Sequence, residues 1–265
     1  MSSSRQAGTD ISVALRARRC RGFTLLDVLV ALAVMGVLIS LLMPTLSMVR
    51  DTTRKIVCAS NIRQLGLSMA MYSEDYRGQL PYSRFYRKSL GDPAFDTREL
   101  MTVRLALLPS FDGLGLLHAH NYGTVPGVYF CPSHQGLNRP DVYASAWGDE
   151  AATVISNFQF RGGASNGQTR FDRLDSRLSL ISDGLASQAD FNHSTGGNVL
   201  STDLSVAWFN DSSGRLLRAL PLETNEMGSR AKLQQAWNLL DQAAGLLGAD
   251  DGTTTVPADQ ARSLR

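Results

Sequence analysis

Surplus charge is the first thing this chain lacks. Its 26 lysines and arginines nearly balance 24 aspartates and glutamates, leaving +2 over 265 residues, so no strong basic field marks it as a nucleic-acid binder. No Gly-x-Ser-x-Gly stands between a strand and a helix, which removes the hydrolase nucleophile elbow. No glycine-rich phosphate loop is present, which removes the usual nucleotide cradle. The chain has no internal repeat, so it is not a stack of repeated units. Cysteine numbers three, which limits the chain to one intramolecular bridge. Nothing here assigns an enzyme, a cofactor or a metal.

What the chain does have is one long apolar run. Arginines 16, 18, 19 and 21 lead into Gly22, and the 24 residues from Phe23 to Leu46 carry one ionisable side chain, Asp27. At about 1.5 Å rise per residue, a helix of this length crosses a hydrocarbon core of about 30 Å. A secretory signal peptide has a shorter apolar region, about 7–15 residues, and then a small-residue cleavage site. Here the glycine and the charges precede the run, and nothing like Ala-x-Ala follows it. The segment is expected to stay in the membrane.

Gly22, Phe23, Thr24, Leu25, Leu26 and the apolar run resemble the prepilin leader of type IV pilins and type II secretion pseudopilins. The resemblance implies cleavage after Gly22 by a prepilin peptidase at the cytoplasmic membrane face, and N-methylation of Phe23. Asp27 stands at the fifth mature position, where the family usually has glutamate, so the carboxylate is kept with a reach one methylene shorter. The family holds that acid to neutralise the amine of a neighbouring subunit during assembly. The competing reading is an acid in the first turn of a helix, favourable to its own helix dipole. Pro44 sits where many pilins carry a helix-bending proline.

The leader, residues 1–22, carries Arg5, Arg16, Arg18, Arg19 and Arg21 against Asp10, a net +4; the remainder is therefore 2 − 4 = −2. Positive charge before the first span predicts a cytoplasmic leader and an exported remainder. The expected protein is a single-pass bacterial inner-membrane protein with its C-terminal domain in a periplasm-like, oxidising space. Cys20 leaves with the leader. Cys58 and Cys131 then form an even pair, either a disulfide, which the compartment permits, or two buried thiols behaving as small hydrophobes. The two thiols are the preferred reading.

After Leu46 the helical signal continues, with Val49, Ile56, Ile62, Leu65, Met69 and Tyr72 forming one apolar stripe until Gly78 and Pro81 end it. Residues 82–124 are irregular. Short β-like runs follow at 127–131, 153–160, 178–182, 198–202 and 205–209, of a length and turn chemistry that suit an antiparallel sheet. From Glu226 to Leu247 the period is helical again. The expected fold is α+β, a long N-terminal helix packed on an antiparallel sheet, with a C-terminal helix. Its parts are a leader (1–22), a transmembrane helix (23–46), an amphipathic continuation (47–80), an exported domain (81–248) and a polar tail (249–265) read as disordered.

A second resemblance lies in the exported part. Cys58-Ala-Ser-Asn-Ile-Arg-Gln-Leu-Gly-Leu, Tyr72, Asp75-Tyr-Arg-Gly-Gln-Leu-Pro81, Gly113-Leu-Gly-Leu-Leu117 and Val128-Tyr-Phe-Cys-Pro-Ser133 are similar to a group of prepilin-type proteins abundant in planctomycetes and relatives. That group is named for a histidine, nine residues, then Asp-Gly. Here His193 is followed by nine residues and Asp203-Leu204, so the spacing holds and the glycine is replaced. His193 and Asp203 as a metal pair would leave the geometry unspecified; a hairpin turning at Asp203-Leu204 is the simpler reading. Leucine takes positive φ poorly, so a turn of another type or a bulge is expected there. His118 and His120 would share a face if extended, but no third ligand accompanies them. Asp250-Asp251-Gly252 lacks the alternating ligands of a calcium loop.

Together these residues point to a structural pilin-like subunit that assembles into a type II secretion pseudopilus or a type IV pilus-like fibre. The implied partners are a prepilin peptidase, other pilin-like subunits, an assembly platform and the lipid bilayer, with no nucleic acid. The alternative is a membrane-anchored periplasmic binding module for polysaccharide or another exported polymer.

Overall fold

The structure is a computed structural model that describes residues 24–106, 110–123, 125–134, 136, 139–144, 146–149, 151–193 and 195–245. The chain forms two units, residues 1–48 and 49–265. One helix, α1 (Leu25–Asp75), contributes to both. In the first unit its large apolar side chains are exposed from Leu25 to Met48, as a helix meant for lipid requires. Its first turn carries a capping box: Thr24 N–H donates to Asp27 Oδ2 at 3.0 Å, and Asp27 N–H donates to Thr24 Oγ1 at 3.2 Å. Each side chain thereby satisfies a backbone donor that the helix start leaves open. Pro44 lies inside α1 without ending it.

In the second unit α1 changes character. Cys58, Ile62, Leu65, Met69 and Tyr72 are buried, at the three- and four-residue steps that put them on one face. The helix ends where Arg77 and Gly78 both take positive φ and Gly78 N–H reaches Ser73 O at 2.7 Å. After it come α2 (Tyr86–Gly91), β1 (Thr102–Leu105), β2 (Ser110–Phe111), α3 (Gly115–Ala119), α4 (Pro140–Ala144), β3 (Val154–Ile155), β4 (Phe158–Phe160), β5 (Ser179–Asp183), β6 (Gly196–Ser201), β7 (Val206–Asn210), α5 (Arg215–Ala219) and α6 (Ser229–Ala243). The strands make two antiparallel sheets, in the orders β2-β1-β3 and β4-β5-β6-β7.

The larger sheet is covered on both faces, and β6 shows how. Leu200 belongs to the core that holds Cys58, Ile62, Leu65 and Met69 of α1, whereas its neighbour Val199 belongs to the core of α5 and α6 with Leu216, Leu233 and Trp237. Successive strand residues point to opposite faces, so one strand serves both helical layers. Gly66 permits the α1 contact: a Cβ there would lie 2.8 Å from both Leu200 methyls. On the other face a buried ion pair ties α6 down, Arg161 Nη1 to Asp241 Oδ2 at 2.7 Å, while Asp241 Oδ1 accepts from Ser179 N–H at 2.9 Å.

The α+β expectation holds, with α1 packed on antiparallel sheets and α6 as the C-terminal helix. Four local expectations do not hold. Val49 and Ile56, read as part of the apolar stripe of α1, are exposed, and the buried face of the helix begins at Cys58. Residues 127–131 are not a strand: 127–129 lie in a 3-10 turn, Pro126–Tyr129, and 130–131 follow it. Pro126 sets the turn's φ, and Cys131 N–H is taken by the Asn157 side chain at 2.5 Å rather than by a strand partner. The run 153–160 is divided between the two sheets, as β3 and β4. The irregular region hides β1, whose Arg104 is buried by donating to the carbonyls of Ala146, Trp147 and Asp149.

Candidate functional site

A buried polar cluster forms where four separate segments meet. Cys58 comes from the buried face of α1 and Cys131 from the segment after the 3-10 turn. Their sulfurs are bonded in a disulfide with Cα atoms 5.0 Å apart, where two separate thiols were the preferred sequence reading. Asp183 ends β5 and is completely buried. His193 precedes β6 and is 6 % exposed.

These groups touch. His193 Nε2 lies 3.4 Å from Asp183 Oδ2 and 3.6 Å from Cys131 Sγ. Asp183 is also held by amides: Asn192 Nδ2 donates to Oδ1 at 3.1 Å, and Asn198 donates to Oδ2 from its backbone at 2.6 Å and its side chain at 3.0 Å. The His193 ring meets the Trp208 ring edge-on at 5.3 Å, and Lys55 Nζ sits 4.3 Å over that tryptophan. Burial pushes the His193 imidazole below its usual range, with Asp183 pulling the other way. Burial pushes the Asp183 carboxyl up, against the pull of His193 and the amide donors. Both directions disfavour a charged pair, as desolvation predicts for ions removed from water.

The cluster is reachable from one side. His193 also lines an open cavity of about 460 Å³, together with Asp51, Arg54, Lys55, Phe191 and Thr195. Lys55 Nζ is 3.4 Å from Thr195 Oγ1 at its rim. The ligand atoms of Cys58, Cys131, Asp183 and His193 all lie within 4.8 Å of one another, so among the described residues this is where a metal could be held. In the bonded state the two sulfurs are not thiolates and do not ligate.

The sequence-derived candidates fall in different places. His193 and Asp203 flank the six residues of β6, about 20 Å of strand at roughly 3.3 Å per residue, and they do not form one site. Asp203 is exposed in the β6–β7 turn, where it accepts from the Ser205 backbone and hydroxyl at 2.9 and 2.6 Å. Leu204 follows at φ +64°, with Leu204 N–H on Ser201 O and Ser201 N–H on Ser205 O. The turn thus carries a bulge, and leucine occupies its left-handed position. His118 and His120 also part: His118 accepts from Trp147 Nε1 at 3.4 Å, and His120 Nδ1 meets the Tyr76 hydroxyl at 3.0 Å. Gly22, Phe23 and the Asp250-Asp251-Gly252 stretch lie outside the described residues.

Asp183 went unread in the sequence, although an acid closing the apolar run Leu178-Ser-Leu-Ile-Ser182 is a signal. A carboxylate at the end of a buried strand needs partners. Asn192 and Asn198 carry no comparable signal, because polar residues beside Gly196-Gly197 read as a loop.

No curated protein and no solved structure matches the chain. Residues 17–43 match the family described as the prokaryotic N-terminal methylation motif, and the matched stretch runs into α1, the one helix among the described residues long and apolar enough to cross a membrane. The two are consistent with a single-pass membrane protein. The motif implies a pilin-like subunit processed by prepilin peptidase, of a kind that is typically not enzymatic.

Proposed function

We propose that this protein is a structural pilin-like subunit, cleaved after Gly22, methylated at Phe23, and assembled through α1 into a type II secretion pseudopilus or a type IV pilus-like fibre. The observation that carries the reading is the methylation motif over residues 17–43 followed by an apolar helix with a single early acid. Residues 23–46 are the membrane span, 47–80 its amphipathic continuation, and 81–248 the exported domain. The exported sequence motifs favour the group named for histidine, nine residues and Asp-Gly.

Asp27 is the assembly residue in this reading. A carboxylate in a bilayer costs roughly 2.5–3.5 kcal/mol on insertion scales, and the cap on Thr24 accounts for Oδ2. The amine of a neighbouring subunit's Phe23 is the partner that would neutralise its charge. The test is cross-linking between cysteines introduced at the start of α1 in neighbouring subunits, alongside N-terminal mass spectrometry. Asp27→Asn should leave processing at Gly22 intact and reduce cross-linking, while Asp27→Glu should cross-link at least as well as the native chain. Equal cross-linking by Asp27→Asn would leave the acid as a helix cap and nothing more.

A second reading, an anchored module for a polysaccharide, is favoured by one observation. A cavity of about 780 Å³ is lined by Tyr72, Tyr76, Tyr82 and Tyr86 with Gln79 and Thr169, and Tyr82 is 68 % exposed. Aromatic faces beside amide and hydroxyl groups suit a ligand that is apolar on its faces and polar at its edges. Glycan binding that is lost with Tyr82→Ala, in a chain that fails to assemble, would favour this second reading.

A further inference from the structure

We propose that Cys58, Cys131, His193 and Asp183 form a tetrahedral site for a zinc-class divalent cation when their disulfide is reduced. Disulfide and metal are then alternative closures of one joint between α1 and the sheet.

Two of the donor–donor edges already have the length such a site needs. Zinc binds thiolate at about 2.3 Å and imidazole or carboxylate at about 2.0–2.2 Å. The edge of a tetrahedron is about 1.6 times its centre-to-corner distance, so nitrogen–oxygen edges should be about 3.4 Å and sulfur–nitrogen edges about 3.6 Å for those bond lengths. The observed edges from His193 Nε2 are 3.4 Å to Asp183 Oδ2 and 3.6 Å to Cys131 Sγ. The two sulfurs are the pair that must separate. They sit on different segments, α1 and the stretch after Tyr129, which reduction frees from each other.

Outer support is in place as well. A ligating carboxylate is ordinarily oriented by further hydrogen bonds, and Asp183 has three, from Asn192 and from the backbone and side chain of Asn198. The open cavity lined by His193 supplies an entry path. Two thiolates, a neutral imidazole and one carboxylate are a donor set that suits zinc better than magnesium or calcium, which prefer oxygen alone.

The steps balance with a dithiol as reductant. The dithiol passes two electrons and two protons to the Cys58–Cys131 bond and becomes a disulfide itself. The cation then displaces the two thiol protons to solvent and forms two metal–sulfur bonds. His193 gives the Nε2 lone pair with its proton on Nδ1, and Asp183 gives a carboxylate oxygen. Because the same sulfurs cannot be bonded to each other and to the metal, occupancy of the site reports the redox state around the protein.

The test uses the full chain in detergent, reduced with a dithiol, desalted without oxygen and titrated with Co²⁺. The reduced chain should bind one equivalent, with the visible bands of tetrahedral cobalt and thiolate-to-cobalt charge transfer, both erased by Zn²⁺; the oxidised chain should show neither. Cobalt should also quench Trp208, whose ring lies 5.3 Å from His193. Cys131→Ser should roughly halve the charge transfer and Cys58→Ser/Cys131→Ser should remove it, while His193→Ala and Asp183→Asn should each weaken binding at least about tenfold. Asp203→Ala, in the distant turn, should leave it unchanged. Circular dichroism on the same samples follows the fold. Pale octahedral cobalt, affinity unchanged by His193→Ala, or a reduced chain that unfolds and is not refolded by the metal would each overturn the site.

Discussion

Opening the Cys58–Cys131 bridge should be a costly change in the second unit. The bridge closes a loop with a sequence separation of 73 residues. Chain-entropy reasoning puts the stabilisation from a closed loop of that length at about 4 kcal/mol, mainly by restricting the unfolded chain. Both sulfurs are fully buried beside Ile62, Leu65 and Tyr129, so replacing them with alanines removes little packing volume and the entropy dominates. The comparison is the native chain against Cys58→Ala/Cys131→Ala in urea, with a chelator present so that no metal substitutes for the bridge. Tryptophan fluorescence is the readout, because Trp208 sits beside His193 and Trp237 lies in the core on the other face of the sheet. The midpoint should fall by the amount that corresponds to about 4 kcal/mol, with these two tryptophans and Trp147, which packs against the core that holds the bridge, reporting one transition. A loss below about 1 kcal/mol, less than the 2–5 kcal/mol typical of removing a native disulfide, would refute the idea that this bridge restrains the unfolded chain.

Two further outcomes are expected from the same unfolding assay. Asp241→Ala strands the buried Arg161 guanidinium and the Ser179 N–H, and should cost about 3 kcal/mol or more; Arg161→Met/Asp241→Leu should recover most of that loss, and a double variant no better than the single one would show that the pair is not the cause. Leu204→Gly relieves a leucine held at φ +64° and should gain about 1 kcal/mol, less whatever the half-buried leucine contributes by packing, whereas a loss would mean that packing outweighs the backbone strain.

Much of this architecture is local in origin, and so was legible. The span, the amphipathic half of α1 and helix α6 each follow from a period or an apolar run that one segment carries by itself. The β6–β7 hairpin follows from two short β-rich runs around Asp203-Leu204; a bulge was expected as a way for leucine to avoid positive φ, yet the bulge that forms holds Leu204 itself at φ +64°. The 3-10 turn at Pro126–Tyr129 was not legible, since Gly127-Val-Tyr-Phe-Cys131 is as β-prone as a true strand. What diverts it is distant in sequence: Asn157 claims the Cys131 amide, and Asn61 Nδ2 reaches Phe130 O at 3.0 Å.

The candidate site divides along the same line. The sequence by itself determined a membrane-sized helix with one acid near its start and a preceding glycine, because bilayer thickness and charge burial act on contiguous residues. It also singled out His193, Cys58 and Cys131, though it paired the histidine with Asp203. Only the tertiary structure decided that His193 faces Asp183 instead, and that the two cysteines meet beside them. Strand pairing sets that choice. With β5 antiparallel to β6, the end of β5 lies beside the start of β6, which brings Asp183 to the histidine before β6 and leaves Asp203 beyond the far end of the strand. Such proximity depends on which strands pair and in what register, and no spacing along the chain encodes it.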